Sequence, residues 1–295
     1  MLNPGPGYIV TANQNPFPAD YPYTVTGTFE PGFRSDRIRQ LITQKEKWSV
    51  PQQLGIQRDI YSSFHHTLAR RISEAAARKN ISAPGPSRAI ELLQEWDGRM
   101  EAARPQPMIA ELTFQHFRTA LGNAAAPGKG PAYQWRAVSN GVVDSLLRTR
   151  PDGWFEDWDQ ALLDAFDSAL GEGVRMQGPD PAKWRWGQLN EIRLAHPVGT
   201  KVPLLNRRYD FEAAPLDGCQ VCVNQASTAL GPSQRMIIDF SDFDSSLLNI
   251  RLGQSAHPLS FHYKDQWQAF REGRSFPFRF NAFDAQSTLR LEPAR

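Results

Sequence analysis

Asn13 and Arg37 are the side chains of this 295-residue sequence whose chemistry and placement best fit a reaction site. Asn13 closes the run Tyr8-Ile9-Val10-Thr11-Ala12, whose β-branched and aromatic start favours a strand, while Pro16, Pro18 and Pro22 forbid its continuation. The strand is therefore expected to stop at Asn13. There a neutral N–H₂ donor can point into a cleft and stabilise the oxyanion that develops during acyl transfer. The same residue type also closes Asx turns, which is the plainer role for it. Downstream, Ile38, Leu41 and Ile42 predict a helix beginning near Asp36 with Ser35 as its cap, so Arg37 projects from the first turn. An arginine gains nothing from the dipole there. Its reason is then a carboxylate partner, a substrate or an ordinary ion pair at the surface.

The other chemistry-bearing residues carry less. His65 and His66 are neighbours, about 100° apart on a helix, and cannot easily face one metal. Asp59 fits a buried cap or hydrogen-bonding role. His196 precedes Pro197 and is held extended, which favours packing or a backbone bond over general-base work. Cys219 and Cys222 are spaced C-x-x-C, yet neither a βαβ redox context nor two further zinc ligands accompany them. Because Gln220 to Val223 alternates like a strand, the pair reads as buried or loosely paired thiols. His257 and His262 lack companions at metal-ligand spacing.

The elements that must position these residues follow from periodicity and punctuation. Residues 1–34 form a strand-and-loop arm rich in proline, glycine and aromatics. Residues 35–176 form a mainly helical lobe. Ser49-Val50-Pro51 opens a helix whose stripe Leu54, Ile56, Ile60, Phe64, Leu68 and Ile72 runs to Ala77, ended by Pro84-Gly85-Pro86 before Ser87 starts the next. Further helices are predicted over Met108 to Leu121, Val138 to Leu147 and Trp158 to Leu170. Residues 177–295 are β-rich, with strands over Cys219 to Asn224, Gln234 to Phe240, Leu247 to Arg251 and Phe276 to Phe283, and a helix from Tyr263 to Arg271. Met236 to Phe240 is continuous enough for a central strand buried on both faces.

The charged fraction of 22%, the hydrophobic fraction of 40% and the net charge of +2 are those of an ordinary globular chain. They give no electrostatic reason for a nucleic-acid or anionic-membrane partner. No apolar run approaches the ~20 residues needed to cross a bilayer, and no signal peptide is evident.

Taken together, several runs resemble penicillin acylases, in their order and over about Gly7 to Phe280. The arm is similar to the segment that supplies an oxyanion-hole amide, with Asn13 on that amide. Gly32-Phe33-Arg34-Ser35-Asp36-Arg37-Ile38 resembles the glycine, aromatic and arginine run, with Arg37 on the active-site arginine. Gln57, Asp59 and Ser62, the turn Trp96-Asp97-Gly98-Arg99-Met100, Gly231-Pro232-Ser233-Gln234-Arg235, and Gly253-Gln254-Ser255 with His257 to Gln266 are also similar to family runs. Ala256 stands where the family's closing block has glycine.

The resemblance implies an α+β fold, part of the four-layer αββα architecture of N-terminal-nucleophile hydrolases, here with an inserted helical lobe. It implies cleavage of a linear amide, the acyl side chain of a β-lactam or an acyl-homoserine lactone, through an acyl-enzyme on an N-terminal serine. The region that would carry that serine lies upstream of the matching segment, so the missing α chain and N-terminal half of the β chain are the implied partners. Asn13 is then expected to face a cleft from the middle of the β core, with Arg37 orienting it or the nucleophile's amine. No cofactor is needed for the chemistry. Some relatives bind calcium, though no match to their aspartate is clear near Val25 to Thr28. Periplasmic or secreted localisation follows from the resemblance alone. The alternative is a non-catalytic binding or assembly module that kept the fold.

Overall fold

Apolar residues recurring every three or four positions set the helices, and the longest stripes form the core. The computed structural model describes residues 4–18, 20–133, 138–196, 198–202, 209–228, 231–285 and 287–293. The helices of the first half are α1 (Phe33–Ile42), α2 (Val50–Gln57), α3 (Ser63–Arg78), α4 (Pro84–Gln94), α5 (Gln106–Ala125), the short α6 (Gly130–Tyr133), α7 (Asn140–Thr149) and α8 (Trp158–Gln177). A short α9 (Trp186–Leu189) leads into β1 (Glu191–Ile192) and β2 (Ala214–Pro215). Then come β3 (Gln234–Ile237), β4 (Leu247–Ile250), α10 (Trp267–Glu272) and β5 (Phe276–Pro277). The chain divides into one unit of Met1–Gln44 with Asp59–Gly231, and a second of Lys45–Arg58 with Pro232–Arg295.

In the first unit α5 and α8 lie along one another, with α3 and α4 against them. Phe64, Leu68, Ile72, Leu93, Phe117, Leu121, Leu162 and Phe166 are buried between them. Each such side chain removed from water contributes about 1.5–3 kcal/mol. Trp184 enters this core because Gly173 on α8 has no side chain: a Cβ there would stand 2.3 Å from the indole. Its ring N–H donates to the Gly178 carbonyl at 2.8 Å, so the one polar atom of a buried indole is satisfied. β1 and β2 pair antiparallel, with Ile192 opposite Ala214.

In the second unit β3, β4 and β5 form an antiparallel sheet in that order, with Arg235 opposite Asn249 and Leu248 opposite Phe276. Trp267 and Phe270 of α10 are buried and stack at 5.8 Å. The Arg235 guanidinium lies 4.7 Å over the Phe270 ring, and burial pulls its pKa down to about 10.

Several boundaries differ from the sequence reading, each for a local reason. α1 begins at Phe33 with Gly32 as its cap; the Ser35 hydroxyl is inside the helix and donates to the Gly32 carbonyl at 2.9 Å. The long stripe from Leu54 to Ala77 is two helices. Arg58 ends α2, and Ser62 starts α3 by accepting the His65 N–H. α3 stops at Arg78, and Pro84-Gly85-Pro86 forms the first turn of α4, where missing N–H groups cost nothing. β3 stops at Ile237 and is an edge strand with alternating burial: Met236 is 43% exposed, so the continuous apolar run is not a doubly covered strand. The arm shows no strand over Tyr8 to Val10. Its one pairing among the described residues is the bridge of Gln14 to Glu30, because an extended segment becomes a strand only where a second backbone meets it. Cys219 to Asn224 is a series of turns with a Cys219 to Gln225 bridge.

Candidate active site

Asn13 meets Arg34 of α1 where the arm passes the start of that helix. Asn13 has φ +65°, a left-handed conformation that asparagine tolerates better than most residues. The turn is fixed by its own neighbours. The Glu30 N–H donates to the Asn13 carbonyl at 2.9 Å, and the Ala12 N–H donates to Gln14 Oε1 at 2.7 Å. The Asn13 side chain is exposed, and its Oδ1 accepts from Arg34 Nη2 at 2.9 Å. That contact orients the amide, since only the oxygen can accept from a guanidinium. The N–H₂ group is left with no acceptor among the described residues.

Arg37, one turn further along α1, does something else. Its Nε donates to Asp59 Oδ1 at 2.9 Å and its Nη2 to Asp59 Oδ2 at 2.7 Å, a two-pronged pair, while Nη1 donates to Gln40 Oε1 at 2.7 Å. The guanidinium also lies 4.6 Å over the Tyr61 ring. The hydrogen bond to Asp59 raises the arginine's pKa against the opposing effect of burial. Asp59 is itself fastened, with the Tyr61 N–H donating to its Oδ1 at 3.3 Å and the Asn224 N–H to its carbonyl at 2.8 Å. Of the two roles expected for Arg37, the contact with Asn13 is made by Arg34 instead; the other, toward the nucleophile's amine, concerns a residue outside this chain. The Arg34 contact left no trace in the sequence because neighbouring arginines look alike there and the contact spans 21 positions.

Cys219 and Cys222 are buried, as one side of the sequence reading had it, but they form a disulfide, which corrects the reading of them as thiols. The turns that replace the expected strand bring the two Cα atoms to 5.1 Å, within bridging distance. Gly98 explains the Trp96-Asp97-Gly98 turn: its φ is +79°, and a Cβ would lie 2.6 Å from the Tyr61 ring and 2.8 Å from His66. His196 makes backbone contacts, its N–H donating to Asp210 and its Nδ1 accepting from the Val198 N–H at 3.1 Å; Pro197 lies outside the described residues. Among the described residues no group of three or more His, Cys, Asp or Glu side chains could hold a metal ion. No described helix is long and apolar enough to cross a membrane.

Comparison with known proteins gives the family and the fold. The family model for penicillin amidase matches residues 1–287, and the chain belongs to that family. It is 25% identical to penicillin acylase 2 proenzyme of Pseudomonas sp. (strain SE83), over 100% of this chain and 40% of that protein. It is 25% identical to the acyl-homoserine lactone acylase QuiP of Pseudomonas putida, over 99% of this chain and 40% of that protein. Among solved structures it is similar to the thermostable penicillin G acylase of Alcaligenes faecalis, with a TM-score of 0.66 and 16% identity, covering 99% of this chain and 58% of that one. The fold is thus the α+β fold of an N-terminal-nucleophile hydrolase, and the chain spans about 40% of the length of the curated relatives it matches.

Proposed function

We propose that this chain supplies the oxyanion-stabilising part of an amidase that cleaves a linear amide, the acyl side chain of a β-lactam or an acyl-homoserine lactone. In this reading a serine outside the chain attacks the amide carbonyl. The Asn13 N–H₂ donates to the oxygen as it gains charge, amine leaves, and water releases the acid. One observation carries the reading: the Asn13 oxygen is occupied by Arg34, so the free, exposed end of the amide is the donor end. An oxyanion hole needs that polarity, whereas a turn-forming asparagine spends its oxygen on its own backbone. Arg34 is a positioning residue for the amide. The Arg37–Asp59 pair holds the helix start that presents it. The partners are the α chain and the nucleophile-bearing half of the β chain, the chemistry needs no cofactor, and export to the periplasm or beyond is part of the same reading, carried by the family resemblance alone.

The test is Asn13→Gly in the full-length protein that contains the nucleophile. Glycine suits the positive φ, so the variant loses the amide without backbone strain. The expected result is a fall of about 10²–10³ in kcat with an unchanged melting temperature. Turnover equal to the parent's would remove Asn13 from the mechanism, and activity absent from the parent protein would favour the binding-module alternative.

A further inference from the structure

The first unit contains a cavity of about 380 Å³ at the face of α5, on the size scale of small-molecule sites. Glu111, Gln115 and Arg118 stand at i, i+4 and i+7 on that helix and all line it, with Phe114, Trp186 and Val221 among the apolar walls. Of its two acidic residues, Glu111 is already committed. Glu111 Oε1 accepts from Gln115 Nε2 at 2.8 Å, and Oε2 lies 2.8 Å from His65 Nε2. The other nitrogen of that buried imidazole is 2.7 Å from the Ser62 hydroxyl. Serine, histidine and glutamate are the residue types of a hydrolytic triad. However, Ser62 is wholly buried, caps α3 and does not reach the cavity, so this chain of bonds positions Glu111 and attacks nothing.

Arg118 is the opposite case. It closes no ion pair and donates no hydrogen bond among the described residues, and its Nε is buried with no acceptor. The guanidinium lies 5.0 Å over the Phe114 ring, and burial draws its pKa below the ordinary arginine value. A cation taken partly out of water and left unpaired costs free energy, and such a cost persists where something else compensates for it.

We infer that this cavity binds a small carboxylate with an apolar body, the carboxylate received by Arg118 and the hydrocarbon part by Phe114, Trp186 and Val221. A guanidinium offers two parallel N–H donors that match the two oxygens of a carboxylate. One arginine beside aromatic walls suits a monoanion better than a phosphate, whose further charge and oxygens would need more donors. Glu30, on the rim, is exposed; its repulsion is screened by solvent and weakens binding without preventing it.

The experiment titrates the chain with 3-phenylpropanoate, its neutral amide and inorganic phosphate, following tryptophan fluorescence and the arginine Nε–H resonances by NMR. The acid is expected to saturate the site and to shift one arginine resonance. The amide and phosphate should bind about tenfold or more weakly. Arg118→Met, which keeps the packing over Phe114, should lose about tenfold or more, Arg118→Lys less, and Glu30→Gln should tighten binding. Asn13→Gly should change nothing, which separates this site from the oxyanion reading. Equal binding of acid and amide, equal binding of phosphate, an unaffected Arg118→Met, or no saturation by about 10 mM would each overturn the inference. The acid-to-amide ratio on the unsubstituted chain decides the matter if Arg118→Met does not fold.

Discussion

Arg37 and Arg118 both belong to the first unit and both have a carboxylate nearby, yet one is fully engaged and the other is not. Asp59 offers both oxygens to Arg37, and the Tyr61 N–H and the backbone around Asn224 keep it in place. Glu111 has its oxygens taken by His65 and Gln115, so the cation two turns along the same face of α5 receives only long-range attraction. The difference teaches that proximity of opposite charges does not make a pair; what else competes for the acceptor decides it. A satisfied arginine holds structure, and an unsatisfied one is available to a ligand.

The sharpest way to break this comparison is to remove one partner in each region and compare signs. Asp59→Ala leaves the Arg37 guanidinium, only 18% exposed, with no counter-charge, and should destabilise by on the order of 3 kcal/mol. Arg37→Met strands Asp59 at 8% exposure and should cost a similar amount. Arg118→Met removes a charge that has no partner, so it should be neutral or stabilising by up to about 1 kcal/mol. Urea unfolding of the three variants measures this. A loss on Arg118→Met as large as on Arg37→Met would mean that Arg118 is already paired, and the contrast would fail.

A smaller effect is expected from the Cys219–Cys222 disulfide, which touches both regions. Cys219 and Val221 line the Arg118 cavity, while the Cys222 sulfur lies 3.5 Å from the Ile60 carbonyl, next to Asp59. The closed loop is so short that bridging removes little freedom from the unfolded chain, and reduction should lower stability by about 2 kcal/mol at most. Thermal unfolding with and without reductant checks it. A loss well above that would show that the bridge shapes the folded site as well as restraining the unfolded chain.

How far the sequence disclosed this arrangement depended on the range of the interactions. The helices around Met108 to Leu121 and Trp158 to Leu170 were legible because i, i+3, i+4 burial is local, and so was the capped start at Ser49. The split of the Leu54 to Ala77 stripe was hidden, since Ile60 keeps the apolar period through a break set by the Ser62 cap and the Asp59 contacts. Asn13 was singled out from residue type and the prolines behind it, but its contact with Arg34 was not readable, because it spans 21 positions. The partner of Arg37 lies 22 positions away and Glu111 lies 46 from His65; neither pairing leaves a periodic trace. Strands were the least legible, because a run of β-branched residues names no partner, and the arm and the Cys219 to Asn224 segment found no ladder.

Asp159 supplies the third stoichiometry and the smallest expected effect. This carboxylate, 11% exposed, accepts from two arginines: Arg78 at 2.6 and 2.9 Å, and Arg150 at 2.8 Å. The Arg78 hydrogen bond lowers its pKa most, burial opposes this, and Arg150 adds to the lowering. A carboxylate whose pKa is depressed on folding adds stability above its unfolded-state value, and that stability is lost as pH falls through the folded value. The native protein should therefore weaken in acid more steeply than Asp159→Asn, with the two curves running parallel at neutral pH. The raised value of Arg37 acts at the other end: its contribution is lost only when pH climbs past the arginine range, so no alkaline counterpart should be seen. Arg78 is about half exposed and Arg150 a third, so solvent screens both. The difference should stay below about 1 kcal/mol and shrink in high salt. Urea midpoints from neutral pH into acid, at low and high salt, measure it. Parallel curves throughout would mean that two arginines sharing one acceptor stabilise it no better than water does.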